Sequence, residues 1–336
     1  MQHLREKLLE QSEDGLLQRS RSPLRAELSA IARGERPVIC HAVLALSQTI
    51  TALGIVYLKR AMNEAVVDSV TFSFWRFVGA TPCLLAVAVV WRQAWVVPSR
   101  ADLAWFALLG GFLVLNQLFA NLGVQLAGAV AATSMQPATP VVSALLAVGM
   151  GQERLSTQVV AGIGLAVTGA LVVAVGRGDG SGARGNVPAG FACLSLNTTA
   201  FAAYCVCMKK VVHKHGAIAV TGASQALGLL FMSALVAARP AVMHDAPGLR
   251  LPPAAYGTLA YWVVMISVVG YLLISWANRH LPASTVALYA GLQPAVGAAL
   301  SVLLLGDGLR PTDLGALGIV LGLAVIVKRD TTTSAP

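Results

Sequence analysis

The sequence predicts an all-α membrane protein with ten transmembrane helices in two inverted five-helix repeats. Its composition is the first reason: 56% of the 336 residues are hydrophobic and only 12% are charged, whereas soluble domains carry about 25% charged residues. Apolar runs long enough to cross a bilayer recur along nearly the whole chain. Five such runs in the first half also align with five in the second half.

The apolar runs are separated by short polar or Pro/Gly-containing connections. A helix needs roughly 18 or more apolar residues to cross the hydrocarbon core, and each run reaches about that length. We predict ten spans, at residues 38–58, 68–91, 101–121, 126–150, 157–176, 188–208, 217–238, 254–277, 282–305 and 310–327.

Three polar segments lie outside the spans. Residues 1–36 carry seven Lys/Arg and six Asp/Glu and contain no apolar core of signal-peptide type. We expect them to form a disordered cytosolic tail. Residues 177–186 form a polar linker between the fifth and sixth spans, and residues 329–336 form a second cytosolic tail.

The net charge of +9 is distributed unequally between the two sides of the predicted membrane. With the N-terminus inside, the inner segments carry 16 Lys/Arg residues and the outer loops carry seven. Cytosolic loops are enriched in Lys and Arg, so this bias predicts a multi-pass protein with both termini in the cytosol. Because the basic residues follow the sides of the membrane, we predict no nucleic-acid partner.

The two halves, residues 37–176 and 187–328, align as repeats. An odd number of spans in each half means that the second copy enters the membrane upside down, and inverted repeats place a binding site where either side can open to it. The aligned pairs are Val56–Arg60 with Val206–Lys210, Ala120-Asn121 with Ala277-Asn278, Gln136-Pro137 with Gln293-Pro294, and Glu153 with Asp307.

Polar side chains inside the spans are the candidate substrate-binding residues. An unpaired amide costs several kcal/mol in hydrocarbon, so each must face protein or a wet cavity. The alternative is a hydrogen bond between two helices, contributing about 0.6–2 kcal/mol. The candidates are Gln136, Gln293, Arg76, Asn116, Asn197, Tyr204, Tyr271 and Tyr289.

Arg76 is the one charged residue well inside a predicted span. Intramembrane charges are functional candidates by default, so Arg76 is a candidate partner for a substrate carboxylate or phosphate. The alternative is a structural arginine paired with Asp68, Glu64 or backbone carbonyls.

The duplicated Gln-Pro pair predicts a kink in the fourth and the ninth span. Pro137 and Pro294 each remove a backbone donor, which leaves the carbonyls of Thr133 and Ala290 without their helical partners. We predict that the two kinks act as hinges and face each other, with Gln136 and Gln293 bordering a central cavity. The alternative is that each glutamine ties its helix to a neighbour.

These features resemble the drug/metabolite transporter superfamily, and its EamA-type family fits best. The resemblance covers roughly residues 38–328 and rests on the proline-containing fourth span of each half, the acidic residue after it, the glycine-rich fifth span, and Arg76-Phe77. It implies ten helices, two cytosolic ends, and export or exchange of small metabolites without ATP. The second half departs from the first, with Asp307 in place of glutamate and Ala226 at the position aligned with Arg76.

We therefore expect a secondary transporter, an exporter or exchanger that works by alternating access. Phosphate-bearing substrates require several Lys/Arg in the cavity, and the scarcity of intramembrane charge favours a neutral, zwitterionic or aromatic, amino-acid-like solute. A phosphate-linked antiporter of the sugar-phosphate or nucleotide-sugar type is the alternative. A membrane enzyme, or another non-transport membrane protein, is the second alternative.

The expected partners are a small-molecule substrate, the lipid bilayer, and a proton or counter-substrate for coupling. We identify no Ser/His/Asp set, nucleotide loop or metal-ligand cluster in the spans, so we predict no enzyme activity, cofactor or metal. His213 and His215 have no carboxylate or cysteine near them in sequence, and Cys205 and Cys207 point about 200° apart on a helix, so neither pair predicts a metal site.

Overall fold

The computed structural model describes residues 37–64, 68–90, 99–136, 138–153, 156–176, 186–242, 248–305 and 311–333. Within these ranges the chain forms ten helical segments in the predicted order. The tail at residues 1–36, residues 177–185 of the predicted linker and residues 334–336 lie outside the described residues.

The first half contributes five helices. They are α1 (Pro37–Glu64), α2 (Ser69–Val90), α3 (Arg100–Met135), α4 (Ala138–Gly149) and α5 (Thr157–Gly176).

The second half contributes the other five segments, two of which are composite. Helices α6 (Val187–His215) and α7 (Ala217–Val242) are regular. Segment α8 (Pro253–His280) is α-helical at both ends with a π-helical stretch, Trp262–Gly270, between them. Segment α9 (residues 283–305) consists of Ala283–Leu288, a 3-10 turn at Tyr289–Gly291, and Leu292–Leu305. Helix α10 (Gly315–Thr333) follows a 3-10 turn at Pro311–Leu314.

Length and composition make five of the described helices suitable to cross a bilayer. These are α2, residues 100–127 of α3, α6, residues 217–239 of α7, and α8. Shorter apolar stretches occur at Val38–Gly54, Ala138–Gly149 and Thr157–Gly169. Large apolar side chains lie exposed on the outer faces of the helices, Val90 and Leu303 among them. This surface suits lipid acyl chains, and the fold is an all-α membrane fold.

The boundary between the third and fourth spans differs from the prediction. The sequence analysis placed a connection between residues 121 and 126, but α3 continues without interruption from Arg100 to Met135. It ends at Gln136, and α4 begins at Ala138. The prediction of separate spans at 101–121 and 126–150 was therefore wrong in its boundary.

The second half does break near the aligned position, between α8 and α9. Leu281 has an extended backbone there and Pro282 precedes the next helix. Proline lacks an N–H and disfavours the helical conformation of the residue before it. The aligned residues in the first half are Val124 and Gln125, which carry no such restriction, so α3 continues through them.

The ninth span is interrupted just before Pro294. The 3-10 turn at Tyr289–Gly291 ends three residues earlier, and Pro294 lies in the first turn of Leu292–Leu305. A missing N–H removes no intrahelical bond in a first turn. In the first half, the corresponding interruption separates Met135 from Ala138, and Pro137 lies outside the described residues.

Glycines bring α5 and α10 into close backbone contact. A methyl group added at Gly169 would collide with the Gly315 carbonyl, and one added at Gly322 would collide with the Gly162 carbonyl. Small residues allow such approach in a membrane, where hydrophobicity does not drive helices together. These glycines form an interface between the two halves.

Ion pairs between helix ends lie on two opposite faces of the molecule. On one, here called the Asp68 face, Asp68 pairs with Arg239. On the other, the Asp102 face, Asp102 pairs with Lys214. Each pair joins the first half to the second, and each joins chain segments that the charge pattern assigns to one side of the membrane. That the Asp102 face is cytosolic remains a prediction.

Candidate functional site

A cluster of buried polar and aromatic side chains lies where α2, α3, α6, α7 and α8 meet. The fold brings several polar residues of these apolar helices to one place. We call it the Arg76 cluster, and its members are Arg76, Gln117, Tyr204, Thr221, Gln225, Trp262, Ser267, Tyr271 and Ser275.

Arg76 is the charge of this cluster, and only 6% of its surface is exposed. Its Nε donates a 2.6 Å hydrogen bond to Oγ of Ser267. Its guanidinium carbon lies 4.8 Å from the centroid of the Trp262 ring, within the range of a cation–π interaction. All of these contacts run from α2 to α8, so the arginine links the first repeat to the second.

The structure does not pair Arg76 with Asp68, one of its predicted alternative partners. Asp68 instead forms a fork with Arg239, with N–O distances of 3.0 and 3.2 Å. Among the described side chains no carboxylate contacts Arg76, and the side chain of Glu64 is not one of them. The pairing of Arg76 with Asp68 was therefore wrong.

Two buried tyrosines form the aromatic wall of the cluster. Tyr204 on α6 and Tyr271 on α8 meet edge to face, with ring centroids 5.9 Å apart. The Tyr271 hydroxyl approaches both Arg76 and Gln117, and the Arg76 guanidinium lies 5.9 Å from the Tyr271 ring centroid. Two of the predicted site residues are thus in contact with each other, and Tyr271 also lies beside Arg76.

Ser275 connects this wall to α7. It lies one helical turn beyond Tyr271, and its hydroxyl makes a 2.6 Å hydrogen bond with that of Thr221. Gln225 follows Thr221 by one turn of α7 and is completely buried. The polar contacts therefore extend continuously from α2 through α8 to α7.

Two amides of the cluster are buried without a well-formed hydrogen bond. Within the described residues, neither the oxygen nor the nitrogen of Gln225 has a partner, and both polar atoms of Gln117 also lack one of good geometry. A buried amide without partners costs about 1–3 kcal/mol per group. Such groups in a native structure indicate bound water or a ligand-binding role.

The π-helical stretch of α8 supplies Trp262 and Ser267, the two residues that hold Arg76. π-Helical turns are rare and are frequently found at functional sites. Here Ser267 is fully buried and points toward α2. The irregular backbone of α8 is thus what turns its polar groups toward the arginine.

A second buried polar contact surface lies between α1 and α9. His41 Nδ1 is 3.0 Å from the Tyr289 hydroxyl, and Gln293 Nε2 donates a 2.7 Å hydrogen bond to Gln48 Oε1. We call these two contacts the α1–α9 ladder. Gln293 therefore ties its helix to a neighbour, which was the alternative to a role in the cavity.

Gln136 and the two asparagines have different surroundings. Gln136 is partly buried at the break between α3 and α4. Asn197 donates a 2.8 Å hydrogen bond to the carbonyl of Asn116, and Asn116 donates one of 3.4 Å to the carbonyl of Asn197. This reciprocal pair fastens α3 to α6, so both amides have structural partners.

Several titratable groups near the helix ends have polar partners. The Glu153 carboxylate accepts hydrogen bonds from the backbone N–H and the hydroxyl of Ser284 at the start of α9. His215, which had no acidic neighbour in sequence, has its Nε2 3.3 Å from Asp102. Burial raises the pKa of Asp68, but hydrogen bonds from Thr71 and Arg239 outweigh it and hold that pKa below its usual value.

No metal site is evident in the part of the chain that the structure describes, since no three His, Cys, Asp or Glu side chains converge there. The five cysteines are free thiols.

Sequence reasoning did not assign Trp262, Ser267, His41 or Gln117 to the site. A serine and a tryptophan in an apolar run carry no positional signal. Only the packing of α8 against α2 identifies them. His41 stands near the start of its span, where a histidine is unremarkable in sequence.

Comparison with known proteins identifies relatives over most of the chain. The model of the EamA-like transporter family matches twice, at residues 38–175 and 189–328. An uncharacterized transporter of Archaeoglobus fulgidus is 25% identical over 288 residues, which cover 84% of this chain and 94% of the relative. One crystal structure superposes with a TM-score of 0.69 at 16% identity, covering 88% of this chain and 98% of that chain. That likeness concerns the fold alone.

Proposed function

This chain belongs to the EamA-like transporter family, and from that premise we propose that it is a secondary carrier of a small zwitterionic, amino-acid-like metabolite. The Arg76 cluster is its substrate site in this proposal, and Arg76 binds the substrate carboxylate. The observation that carries the proposal is a buried guanidinium without a carboxylate partner among the described side chains.

The energetics of Arg76 support an anionic ligand. A buried charge is costly unless it is paired, and Ser267, the Tyr271 hydroxyl and the Trp262 ring supply only part of the compensation. A substrate carboxylate would accept the remaining N–H groups of the guanidinium in a bidentate fork. Charged side chains inside membranes commonly mark the substrate pathway.

The rest of the cluster suits the other groups of a zwitterion. The amide oxygens of Gln117 and Gln225 are acceptors without good partners in the described structure, and an ammonium group has three donors and no acceptor. Tyr204 and Tyr271 pack edge to face, Tyr271 lies close to Gln117, and aromatic faces attract cations and apolar rings. The cluster therefore offers one positive group, several neutral acceptors and an aromatic wall.

The distribution of the other basic residues argues against a phosphate-linked antiporter. Arg239 pairs with Asp68 and Lys214 with Asp102, both at the ends of the helices, while Lys209 donates to the carbonyl of Leu281. Arg76 is thus the one cation in the described buried cluster. A dianionic phosphate is better matched by several basic groups.

Alternating access accounts for the placement of the interhalf contacts. Inverted-repeat carriers expose a central site to each side in turn by moving one bundle against another. The pairs Asp68–Arg239 and Asp102–Lys214 join the two halves at opposite faces. Arg76 lies eight residues beyond Asp68 on α2 and Gln117 lies 15 residues beyond Asp102 on α3, so the Arg76 cluster lies between the two faces. We expect each pair to break when its own face opens.

A ligand panel followed by transport assays tests this function. Purified protein is screened by thermal shift against L-amino acids, the corresponding amines without the carboxylate, the corresponding acids without the amine, and sugar phosphates. We expect stabilisation by amino acids and a much smaller effect of the decarboxylated amines. Stabilising amino acids are then tested for flux into liposomes, with protein-free liposomes as the control. Stabilisation and flux with sugar phosphates instead would replace the proposal by the antiporter alternative, and lipid hydrolysis or transfer without flux would indicate an enzyme.

A further inference from the structure

The C-terminal ends of α6 and α8 lie side by side on the Asp102 face. Lys209, near the end of α6, donates a hydrogen bond to the carbonyl of Leu281, the residue that follows α8. Lys214, which pairs with Asp102, belongs to the same end of α6. Both helices are long and apolar enough to cross a bilayer, so these two ends lie near the lipid headgroups of one leaflet.

Four basic side chains that the proposed transport site does not use collect at these ends, and we call them the α6–α8 basic cluster. Its members are Lys210 and His213 of α6 and Arg279 and His280 of α8. Lys210 and His213 are three residues apart and therefore neighbours on the surface of α6. The charge of Arg279 acts on both histidines, so the residues of the two helices are close in space.

No acidic side chain compensates this cluster within the described residues. The charged groups that act on His213 and His280 there are all basic. Asp102 pairs with Lys214, and Glu153 accepts hydrogen bonds at the start of α9. A cation stabilises a helix C-terminus, but two such ends side by side repel each other unless a counter-charge binds between them.

Trp276 marks the depth of the cluster in the membrane. It lies one helical turn before His280, and the centroids of the two rings are 5.0 Å apart. Tryptophan is enriched at the membrane–water interface, where its ring lies at the level of the headgroups. The cluster is therefore at the depth of the lipid phosphates.

The end of α8 also contains a polar atom whose hydrogen bonding is incomplete. Nε2 of His280 is buried and has no hydrogen-bond partner within the described residues. Such a group in a native structure indicates a bound water or ligand nearby. By contrast, Lys210, His213 and Arg279 are exposed and accessible from outside the protein.

We propose that the α6–α8 basic cluster binds the phosphate of an anionic phospholipid in the leaflet at the Asp102 face. Arg279 donates to two phosphate oxygens in a fork, and Lys210 supplies a second positive charge. The two histidines border the phosphate as hydrogen-bond donors. The acyl chains extend from the phosphate past Trp276 toward the middle of the bilayer.

This lipid site is independent of the proposed transport function. Arg279 lies eight residues beyond Tyr271 in the sequence, which is about 12 Å along α8. A phosphate bound by Arg279 at the headgroup level therefore does not contact the Arg76 cluster. Loss of lipid binding and loss of substrate binding are separate outcomes, and each can be measured without the other.

Native mass spectrometry of the purified, delipidated full-length protein tests the proposal. The protein in detergent is titrated with phosphatidylglycerol, or with phosphatidylcholine that has the same acyl chains. We expect the first phosphatidylglycerol to bind at least about tenfold more tightly, because the choline group offsets the phosphate charge. A third titration adds inorganic phosphate at the same concentration as phosphatidylglycerol, and this should not displace the lipid.

Substitutions in the cluster locate the site. Arg279→Gln and Lys210→Gln should each weaken binding of the first phosphatidylglycerol about fivefold, which is typical of one basic group near an anionic lipid. Arg279→Lys should bind more tightly than Arg279→Gln, because the charge remains while the fork is lost. Arg250→Gln is the matched control, because Arg250 is an exposed arginine three residues before the opposite end of α8, and it should bind like the wild type.

Three results would overturn the proposal. Equal affinity of the wild type for the two phospholipids would show that the cluster does not select an anionic lipid. Equal loss of affinity in Arg250→Gln and Arg279→Gln would show that basic residues at any helix end suffice. Displacement of phosphatidylglycerol by an equal concentration of inorganic phosphate would identify a free phosphate as the ligand in place of a lipid.

Discussion

Nε of Arg76 donates a 2.6 Å hydrogen bond to Oγ of Ser267, and this bond joins the first repeat to the second in the interior of the protein. The repeats are not equivalent at this position, because Ala226 occupies the place in the second half that Arg76 occupies in the first. The proposed site is therefore asymmetric: α2 supplies the charge, and α8 supplies the serine and the aromatic rings that hold it.

Substitution of Arg76 separates a substrate-binding arginine from a structural one. We expect Arg76→Gln to raise the Kd of the stabilising amino acid about 10- to 100-fold, because hydrogen bonds to charged groups contribute about 1.5–3 kcal/mol. Arg76→Lys should lie between that variant and the wild type, since the charge remains while the bidentate fork is lost. Isothermal titration calorimetry on folded protein measures the Kd.

Arg279→Gln, which neutralises an exposed arginine, is the control. A glutamine variant that melts at a much lower temperature but keeps full flux per folded molecule would identify Arg76 as structural.

The glutamines of the duplicated Gln-Pro pairs are tested by leucine substitutions. If they border the cavity, Gln136→Leu and Gln293→Leu should each weaken substrate binding by about 1–3 kcal/mol through a lost or unpaired hydrogen bond. Gln48→Leu removes the partner of Gln293 without removing Gln293 itself, so it is the control for loss of the tie. Unchanged Kd in both variants, with Gln293→Leu and Gln48→Leu lowering the melting temperature equally, would leave the glutamines as ties between helices.

Close contact between α5 and α10 predicts different effects for two glycines of one helix. In Gly169→Ala the new methyl group meets the backbone of α10 at Gly315, so we expect destabilisation by about 1–3 kcal/mol, typical of overpacking. In Gly164→Ala nothing lies within 4 Å of the new methyl group, so stability should stay the same or rise slightly because alanine favours helix. Thermal unfolding in detergent measures both. Equal loss of stability in the two variants would contradict the described contact.

The charge bias predicts the orientation of the chain. Single cysteines are introduced at Ser181 and Ser334 in a background without the five native cysteines. A membrane-impermeant maleimide added to intact cells should label Ser181→Cys and leave Ser334→Cys unlabelled until the cells are permeabilised. Labelling of both positions in intact cells would place the C-terminus outside and contradict the predicted topology.

Composition and repetition made most of the fold predictable. Apolar runs of membrane length specify helices because a backbone in lipid must satisfy its own hydrogen bonds, and ten helical segments follow in that order within the described residues. The sequence analysis placed the break between α3 and α4 too early in the chain. Small and apolar residues like those around Val124 are equally compatible with a turn or a helix. Leu281-Pro282 breaks the chain at the aligned position through its proline.

The site was predictable only in part. Arg76, Tyr204 and Tyr271 were recognised as polar or aromatic residues in apolar spans, and the structure brings them together. Asn116 and Asn197 carried the same signal but bond to each other's helices. A polar residue in a span shows that a partner exists without showing whether the partner is another helix or a ligand.

The sequence by itself determined the membrane class, the number and order of the helices and the family, because these depend on hydrophobicity and spacing along the chain. The tertiary structure alone decided which polar groups meet: Arg76 with Ser267 and Trp262 instead of Asp68, and His41 with Tyr289 across 248 positions of sequence. The physical reason is that lipid favours no particular neighbour among apolar helices. Glycines, prolines and the π-helical stretch of α8 set how each helix is rotated and how closely two helices approach, and this geometry selects the contacts. The geometry depends on the packing of all the helices together.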